Sequence, residues 1–349
     1  MMRTLTRWIR HHQVTAFFAL TYALSWALWL PWMLTRIELL ELFGFIALFM
    51  PALACIVIAR VVEPGTAEDS RRARRMVFLA AWVLVTVIFS LNARSSSGIQ
   101  LPVAVVVFAV VGLIPAFVIA SGFSANPGVR ARLASLVRPR GRPLWYLLAL
   151  ALVPAVRLLS VAVSRALGWE TISDPAPAGG ILALAGAVVI SFFYTVIAAG
   201  GLNEETGWTG FALPGLQTRH SPLVASAILW FFWILWHMPL QFAGLWNPDM
   251  DDLVRALVGT FFARFIFTWL YNRSKRGIWT AVLFHASANV AFEFLPVTQV
   301  QFVLEAATAI AVVVGDRMWR KLPADSHAVY EAASGAGSSD EGGIRHATV

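Results

Sequence analysis

Charged residues are scarce in this chain, and the scarcity limits its class. Only 13% of the 349 residues are Asp, Glu, Lys or Arg, whereas 58% are hydrophobic. A soluble globular domain carries about 25% charged residues. Because so little charge is available to cover a surface in water, the composition predicts a polytopic membrane protein rather than a large soluble core.

Cysteine is almost absent as well. Cys55 is the single cysteine of the sequence and lies in an apolar run without a nearby histidine. A single cysteine excludes internal disulfides, CxxC redox chemistry and thiolate zinc sites. It also disfavours a cysteine nucleophile, because no neighbouring base would activate the thiol.

Three common signatures are missing from the sequence. The absence of HExxH argues against the helical zinc-protease motif. The absence of GxSxG argues against a serine-hydrolase elbow. No GxxxxGK[ST] phosphate-binding loop occurs either.

Ten apolar segments are long enough, or nearly so, to cross a bilayer, which takes about 20 residues. They predict an all-α fold, a polytopic transmembrane helix bundle of about ten (eight to ten) spanning helices. The third and tenth segments are the weakest, and the first is expected to be a retained anchor rather than a signal peptide. The segments are 14–34, 42–62, 76–91, 101–121, 144–163, 180–202, 223–242, 253–271, 278–295 and 300–314.

The net charge of +8 comes mainly from arginines that cluster in short connectors. Alternate connectors carry three, four, five, one, three and three Lys/Arg, whereas the intervening ones carry one, one, one, none and none. The positive-inside rule explains this pattern better than nucleic-acid binding, and it predicts cytoplasmic termini in a cell (plasma) membrane. The richer set, here called the basic connectors, comprises residues 1–13, 63–75, 122–143, 203–222, 272–277 and 315–321.

Two adjacent carboxylates, Glu204 and Glu205, follow the sixth segment. A carboxylate at membrane depth costs about 2.5–3.5 kcal/mol, so a membrane protein that keeps two usually needs them. Helical neighbours point about 100° apart, so one can enter a cavity while the other packs beside it. A glutamate in apolar surroundings is a good general base for activating water. The alternative is a solvated pair in a cytoplasmic loop.

Two later segments carry one histidine each, His237 and His285. Pro239 follows His237 and frees a carbonyl, which gives a local polar break. The aromatic residues around His237 are expected to face lipid or to pack. His285 and Asn289 share one helical face and could donate two hydrogen bonds to an oxyanion. The alternatives are a satisfied core histidine and an interhelical polar clamp.

Together these three pieces resemble the CPBP family of intramembrane endopeptidases, named for CAAX proteases and bacteriocin-processing enzymes and also called the Abi family. Its pattern is EExxxR, then an aromatic-xxx-His, then HxxxN. The matching residues here are Glu204-Glu205, Trp233 with His237, and His285 with Asn289. Order and spacing agree, and the similar region covers roughly residues 144–314.

The resemblance implies a hydrolase, a CAAX-type α-helical endopeptidase whose site opens toward the cytoplasm and which cleaves a membrane-associated protein or peptide. It implies that Glu204 activates water, that His237 assists, and that His285 and Asn289 stabilise the oxyanion, with Glu205 in the same catalytic site. No cofactor is assigned. Metal dependence stays open, since a glutamate and two histidines could also hold zinc with water completing the site.

The resemblance also divides the chain. Residues 1–143 are expected to hold the first four membrane segments with their basic loops. Residues 144–322 are expected to form the protease core. The tail, 323–349, is rich in Gly, Ser and Ala and is expected to be disordered.

Two positions depart from the family pattern. Thr209 stands in place of the family arginine and cannot supply its charge to Glu205. We hypothesise that Arg264, in the eighth segment, replaces that charge; the alternative is that it faces Glu293 or Glu305. The milder departure is a tryptophan at position 233, where the family often has phenylalanine.

Other functions fit the same polar cluster. Glu, His and Asn at membrane depth also build the pathways of proton- or ion-coupled transporters. An inactive family member acting as a scaffold is a third reading. The Arg- and Ala-rich composition suggests a bacterial host, where a secreted peptide is a more plausible substrate than a prenylated protein, although this step rests on analogy.

Overall fold

The computed structural model describes residues 2–37, 41–65, 71–172, 179–243 and 249–323. The regular structure in these ranges is helical, so the all-α prediction is confirmed. The helices are α1 (Met2–His11), α2 (Gln13–Thr35), α3 (Glu41–Ala47), α4 (Met50–Val62), α5 (Arg71–Ser97), α6 (Leu101–Val111), α7 (Leu113–Ala120), α8 (Pro127–Val137), α9 (Pro143–Ala166), α10 (Ile181–Ile197), α11 (Leu202–Glu205), α12 (Leu213–Gln217), α13 (Pro222–Phe242), α14 (Met250–Arg273), α15 (Ile278–Phe294) and α16 (Gln299–Gly315). The tail expected to be disordered lies outside the described residues, apart from Pro323.

Six stretches of the described chain are helical, long and apolar enough to cross a membrane, and the bent pair α6–α7 makes seven if it forms one span. The predicted polytopic bundle is thereby confirmed. Fewer stretches than predicted pass this test because three of the apolar segments form short helices. Segment 42–62 is divided into α3 and α4, of 7 and 13 residues, and α15 and α16 have 17 residues each.

One helix is longer than the sequence indicated, and one predicted connector contains a helix. The third segment, predicted as short, is the 27-residue helix α5, because the arginines before it are helical too. Their long side chains can reach the membrane interface from a helix end. The connector 122–143 holds α8, which begins where the Asn126 side chain accepts a hydrogen bond from the Val129 backbone N–H. An asparagine followed by a proline is a favourable helix start.

The connectors meet at two ends of the bundle. At one end, here called the basic end, the basic connectors contact one another and the helices beside them. Arg132 lies 3.6 Å from Glu63 there, and the Trp279 indole donates a 2.9 Å hydrogen bond to the Leu136 carbonyl. Alternate connectors therefore gather on one side, as the charge pattern predicts.

The intervening connectors meet at the other end, here called the opposite end. Arg36 donates to the Ala243 carbonyl at 2.7 Å, which ties the end of α2 to the end of α13. The Ile172 N–H donates to the Val297 carbonyl at 2.7 Å, which ties the chain after α9 to the α15–α16 connector.

One apolar core joins the N-terminal helices to the segment that follows the glutamate pair. The rings of Phe17 and Trp208 lie 5.3 Å apart, and those of Trp29 and Trp236 lie 4.8 Å apart. All four side chains are at most 1% exposed. Helix α2 thus forms a wall behind the polar cluster and packs on both α13 and the turn after α11.

Candidate active site

The two carboxylates follow a break in the longest candidate span, Ile181–Gln217. Helix α10 ends at Ile197, the chain turns, and α11 begins at Leu202. The sixth segment, predicted to run to residue 202, is therefore helical over a shorter length. The cause is the turn itself, in which Gly200 has a φ of +112°, a conformation that residues with a side chain rarely adopt.

Asn203 holds this turn in place. Its side-chain oxygen accepts a hydrogen bond from the Gly200 N–H at 3.0 Å, and its nitrogen donates to the Leu48 carbonyl at 3.1 Å. The Asn203 side chain is fully buried. It ties the break to the start of α4, so the position of α11 is fixed from two sides.

Both carboxylates are buried. Glu204 is 4% exposed and Glu205 is 0% exposed. The alternative of a solvated pair in a cytoplasmic loop is therefore wrong. After them the chain forms a π-helical turn, Trp208–Ala212, which continues into α12.

Glu205 is surrounded by charged and polar donors. Its Oε1 lies 2.9 Å from His285 Nδ1, and its Oε2 lies 3.3 Å from Arg264 Nη1. The Thr209 hydroxyl donates to Oε2 as well, and the same hydroxyl oxygen lies 3.4 Å from Arg264 Nη1. The hypothesis that Arg264 supplies the charge missing at position 209 is confirmed. Threonine and arginine together occupy the place of the family arginine.

The alternative partners of Arg264 have other contacts. Glu293 accepts a hydrogen bond from Ser191, and Glu305 accepts one from Gln301 at 2.7 Å. The guanidinium of Arg264 also lies over the Phe267 ring, 4.5 Å from its centroid. It lies over the Trp233 ring too, at 5.8 Å, so the side chain is held by one carboxylate, one hydroxyl and two aromatic rings.

Glu204 has different surroundings. Its Oε2 accepts a 2.6 Å hydrogen bond from the indole Nε1 of Trp233 on α13. Trp233 is 7% exposed, so it packs, as one of the two expectations for these aromatic residues has it, and it bonds to Glu204 as well, which was not expected. This chain has tryptophan where the family often has phenylalanine, and the tryptophan adds an N–H donor that bonds to Glu204.

His237 lies one helical turn after Trp233. Its Nδ1 is 2.9 Å from the Trp233 carbonyl, and its ring lies 4.2 Å from the Trp233 ring and 4.6 Å from the Trp236 ring. A carbonyl oxygen only accepts hydrogen bonds, so the proton is on Nδ1, and Nε2 carries the lone pair in the neutral ring. The same tryptophan therefore orients both Glu204 and His237.

His285 and Asn289 lie on α15 and reach the chain break. With Nδ1 directed at Glu205, His285 turns its Nε2 toward Gly200, where an added Cβ would lie 2.1 Å from that nitrogen. Asn289 Nδ2 donates to the Ala199 carbonyl at 2.8 Å. The interhelical polar clamp is thus present. The Asn289 amide nitrogen carries a second hydrogen that this bond does not use.

A cavity of about 600 Å³ reaches this cluster. Trp233, Arg264, His285 and Asn289 form its polar inner wall. Most of the remaining wall is apolar, with side chains from α9, α14, α15 and α16. A largely apolar cleft with a few convergent polar groups is typical of a ligand-binding site.

The residues as placed do not form a zinc site. Among the described residues, no group of three or more His, Cys, Asp or Glu side chains is arranged to hold a metal ion. The Glu205 and His285 atoms that could ligate a metal face each other as hydrogen-bond partners, whereas catalytic zinc has three protein ligands. No step of hydrolysis is therefore assigned to a metal ion, and the zinc alternative remains a prediction.

Comparison with known proteins agrees with the motifs. Residues 185–291 match the family model "Rce1-like: Type II CAAX prenyl endopeptidase Rce1-like". This match supports the resemblance to the CPBP family that the motifs carry. A curated relative, CAAX prenyl protease 2 of Methanococcus maripaludis, is 30% identical over 176 residues. The match covers 48% of this chain and 64% of the relative, which is less than two thirds of that protein's length.

The structure brings all five predicted site residues into one region, around the break after α10. Sequence reasoning missed two residues that hold them there, Gly200 and Asn203. The tandem Gly200-Gly201, two residues before Asn203, was the available signal, since glycine pairs often mark positive φ.

Proposed function

We propose that the protein is a membrane endopeptidase of the CAAX-protease type, in which Glu204 activates the attacking water. The observation that carries the proposal is the different pairing of the two carboxylates. Glu205 is neutralised by Arg264 and bonded to His285, whereas Glu204 is bonded to the neutral indole of Trp233. Titratable neighbours whose environments differ this much usually divide the catalytic roles between them.

The proposed reaction is hydrolysis of a peptide bond, with no change of oxidation state. Glu204 takes a proton from water as the water oxygen attacks the carbonyl carbon, and His237 helps to orient that water. His285 and the unused N–H of Asn289 stabilise the oxyanion of the tetrahedral intermediate. When the intermediate collapses, the C–N bond breaks and the proton held by Glu204 passes to the leaving nitrogen. The products are a new carboxyl terminus and a new amino terminus.

Glu205 serves as the positioning carboxylate of this scheme. With Arg264 and Thr209 holding one oxygen, the other oxygen fixes the Nδ1 side of the His285 ring. The Nε2 side of the ring then has one orientation. We therefore assign Glu205 to the site without a direct role in proton transfer.

The proposal also covers the class of substrate and the membrane in which the protein lies. A membrane-associated protein or peptide is the substrate, because the cavity wall is largely apolar and the helices around it are apolar enough to span a membrane. The proposed host membrane is the cell (plasma) membrane, and the Lys/Arg content of the basic connectors supports cytoplasmic termini.

Cleavage of a membrane-tethered peptide library by purified protein in detergent tests the proposal. We expect the wild type to cleave and Glu204→Gln and His285→Ala to be inactive while folded. Glu293→Gln is the matched control, because Glu293 is a carboxylate on α15 that bonds to Ser191 instead of the site. A parallel reaction with a chelator tests the zinc alternative: lost activity that zinc restores would support a metal, and unchanged activity would support the glutamate alone.

Detergent solution also separates hydrolysis from transport. A transporter needs a gradient across a closed membrane, whereas a protease does not. If folded wild-type protein cleaves nothing, the proposal is wrong. Uptake by sealed vesicles then distinguishes a transporter from a scaffold.

A further inference from the structure

A second cavity, of about 840 Å³, lies between α2, α12 and α13. It begins at Arg10 and follows one face of α2 as far as Tyr22, and on α13 it reaches Phe232. The Tyr22 hydroxyl donates to the Phe232 carbonyl, and one helical turn later the Trp26 indole donates to the Trp236 carbonyl at 3.1 Å. The two helices are therefore parallel here, and both start from the basic end.

The part of this cavity at the basic end is cationic. Two arginines and three histidines line it, from the end of α1 and from the turn between α12 and α13. They are Arg10, His11, His12, Arg219 and His220. Four of them are exposed, and His220 is partly buried. Among the described residues that line the cavity, none is Asp or Glu. A concave surface lined by one sign of charge attracts a ligand of the other sign.

Two of these basic side chains are held in place by the protein itself. Arg10 Nε donates to the Val61 carbonyl of α4 at 3.5 Å, which uses one of the five N–H groups of the guanidinium. The His12 ring stacks on the Trp8 ring with centroids 5.2 Å apart, and its Nδ1 lies 3.1 Å from the Trp8 carbonyl. Groups that are fixed before binding lose less conformational freedom when a ligand arrives.

Farther from the basic end the cavity becomes apolar. Its walls there include Phe18, Ala19 and Tyr22 of α2 and Ile228 and Phe232 of α13. The rings of Phe18 and Phe232 stack with centroids 4.3 Å apart, so the two walls meet behind the cavity. Tyr22 is nine residues after the first residue of α2, which at 1.5 Å per residue extends the cavity about 14 Å along the helix.

The order of these two parts matches the order of groups in a membrane lipid. Helices α2 and α13 are both long and apolar enough to cross a membrane, so their first residues lie near its surface. The basic side chains precede those first residues, and the apolar walls follow them. Ala19 on α2 and Phe231 on α13 are exposed, so the outer faces of both helices meet lipid. A free phosphate would leave the apolar part of the cavity empty.

We propose that this cavity binds an anionic phospholipid, with its phosphate among the five basic side chains and the upper part of an acyl chain between α2 and α13. The proposal follows from charge and packing and does not depend on the proposed function. Because Phe232 precedes Trp233 on α13, the bound lipid would also stabilise the helix that carries Trp233 and His237.

Thermal unfolding of the purified full chain in detergent tests the proposal without requiring activity, because a ligand that binds the folded protein raises its Tm. The probe is dioleoyl phosphatidylglycerol. Dioleoyl phosphatidylcholine has the same acyl chains without the net negative charge, and inorganic phosphate has the anion without the chains. We expect phosphatidylglycerol to raise the Tm saturably, by about 3 °C at ten times its half-saturating concentration. The other two should raise it by less than a third as much.

Paired arginine variants locate the anion. Arg10→Gln combined with Arg219→Gln should raise the half-saturating concentration of phosphatidylglycerol by about tenfold or more. Arg138→Gln combined with Arg140→Gln is the matched control, because both arginines are exposed at the basic end and lie outside the lining. This control should stay within twofold of wild type. If the first pair fails to fold, Arg219→Gln alone, at an exposed position, should raise that concentration about threefold.

Two tryptophan variants locate the acyl chain. Ala19→Trp fills the apolar part of the cavity and should weaken phosphatidylglycerol binding at least tenfold. Ala23→Trp is the matched control, because Ala23 is exposed one turn farther along α2 and does not line the cavity. Equal effects of either variant and its control would overturn the proposal, since binding would then be spread over the surface. It would also be overturned by phosphatidylcholine or inorganic phosphate raising the Tm as much as phosphatidylglycerol, or by no rise with any of the three.

Discussion

Glu205 and Glu204 are neighbours in the chain, but the groups that bond to their carboxylates differ. Around Glu205, one guanidinium, one imidazole and one hydroxyl converge on a single carboxylate. Around Glu204, the hydrogen bond comes from the Trp233 indole, whose ring packs against His237. The charge of Glu205 is paired, while Glu204 is bonded to a neutral group.

The free-energy cost of burying a charge explains why the two carboxylates suit different roles. A buried ion is tolerated when a partner compensates it, and a paired carboxylate is also fixed in position. A carboxylate beside neutral donors is less strongly held in one charge state, which suits a group that must accept and return a proton. Sequence neighbours can differ in this way because helical residues point about 100° apart.

Replacing Glu204 should have the largest effect on activity. Glu204→Gln keeps the size of the side chain and an oxygen that can accept the Trp233 indole N–H, but it removes the base. Proton transfer by a positioned group contributes about 10²–10⁴-fold to rate, so we expect kcat to fall by about that factor, equivalent to about 3–5 kcal/mol. The measurement is cleavage of the membrane-tethered peptide.

The free energy of unfolding, measured by SDS titration in mixed micelles, is the control for this variant. It should stay within about 1 kcal/mol of wild type, as most exchanges that leave no charge unpaired do. A folded Glu204→Gln variant with wild-type kcat would reverse the comparison, and Glu205 would then be the group to test as the base.

Breaking the Glu205 pair should mainly affect stability. Arg264→Gln leaves a buried carboxylate without its cation, and Glu205→Gln leaves a buried cation without its carboxylate. Loss of one partner of a buried ion pair costs about 3–5 kcal/mol. We expect the double variant to be little worse than either single variant, so the coupling energy in the free energy of unfolding should approach the loss in one single variant, about 3 kcal/mol or more.

Simple additivity of the two single effects would contradict this pairing. Moving the arginine from position 264 to position 209 is a second test of the pairing. In Thr209→Arg combined with Arg264→Gln, the cation returns to the position of the family pattern, and part of the lost stability should be recovered. The single variant Thr209→Arg is the control, because it places two cations near one carboxylate.

The sequence predicted the pairing of Arg264 with Glu205 because a buried cation needs a partner and position 209 lacked its arginine. It also predicted the helical class and five residues that the structure brings close together, since period, hydropathy and motif order are local. It did not predict that Trp233 bonds to Glu204. Which face of an aromatic helix meets a carboxylate depends on the packing of α13 against α11, and spacing along one helix does not contain that information.

The predicted bounds of two helices were wrong for related reasons. The early end of α10 depends on the turn that Asn203 ties to Leu48, a contact between residues far apart in the chain. The bend of 41° between α6 and α7 occurs near Pro115, which cannot donate to the preceding turn. Hydropathy averages over such breaks, because both halves remain apolar.

Gly200→Ala should have a smaller effect than loss of the base. The new Cβ would lie 2.1 Å from His285 Nε2, and alanine is strained at a φ of +112°. The ring or the turn must shift, and a displacement of about 1 Å in a catalytic group can cost about 10²-fold. We expect kcat/KM to fall by roughly that factor.

Gly186→Ala is the matched control for Gly200→Ala. Gly186 lies within α10, and an added Cβ there meets no atom within 4 Å. In a helix interior alanine is favoured over glycine by up to about 1 kcal/mol, so this variant should be as active as wild type and at least as stable. Wild-type activity in Gly200→Ala would show that the orientation of the His285 ring is unimportant.

Trp233→Phe should have the smallest effect and separates the two regions most directly. The change keeps an aromatic ring beside His237 and removes the N–H that reaches Glu204, while the contacts of Glu205 are untouched. A hydrogen bond to a charged group contributes about 1.5–3 kcal/mol, and because the ring is kept we expect the lower end of that range, a fall in kcat/KM of about tenfold, with stability changed less than in Arg264→Gln. Trp230→Phe is the matched control, because the Trp230 indole donates to the Thr260 hydroxyl at 3.1 Å rather than to a carboxylate. If the two variants lose activity equally, the indole at position 233 contributes packing alone, and the neutral donor is not what distinguishes Glu204 from Glu205.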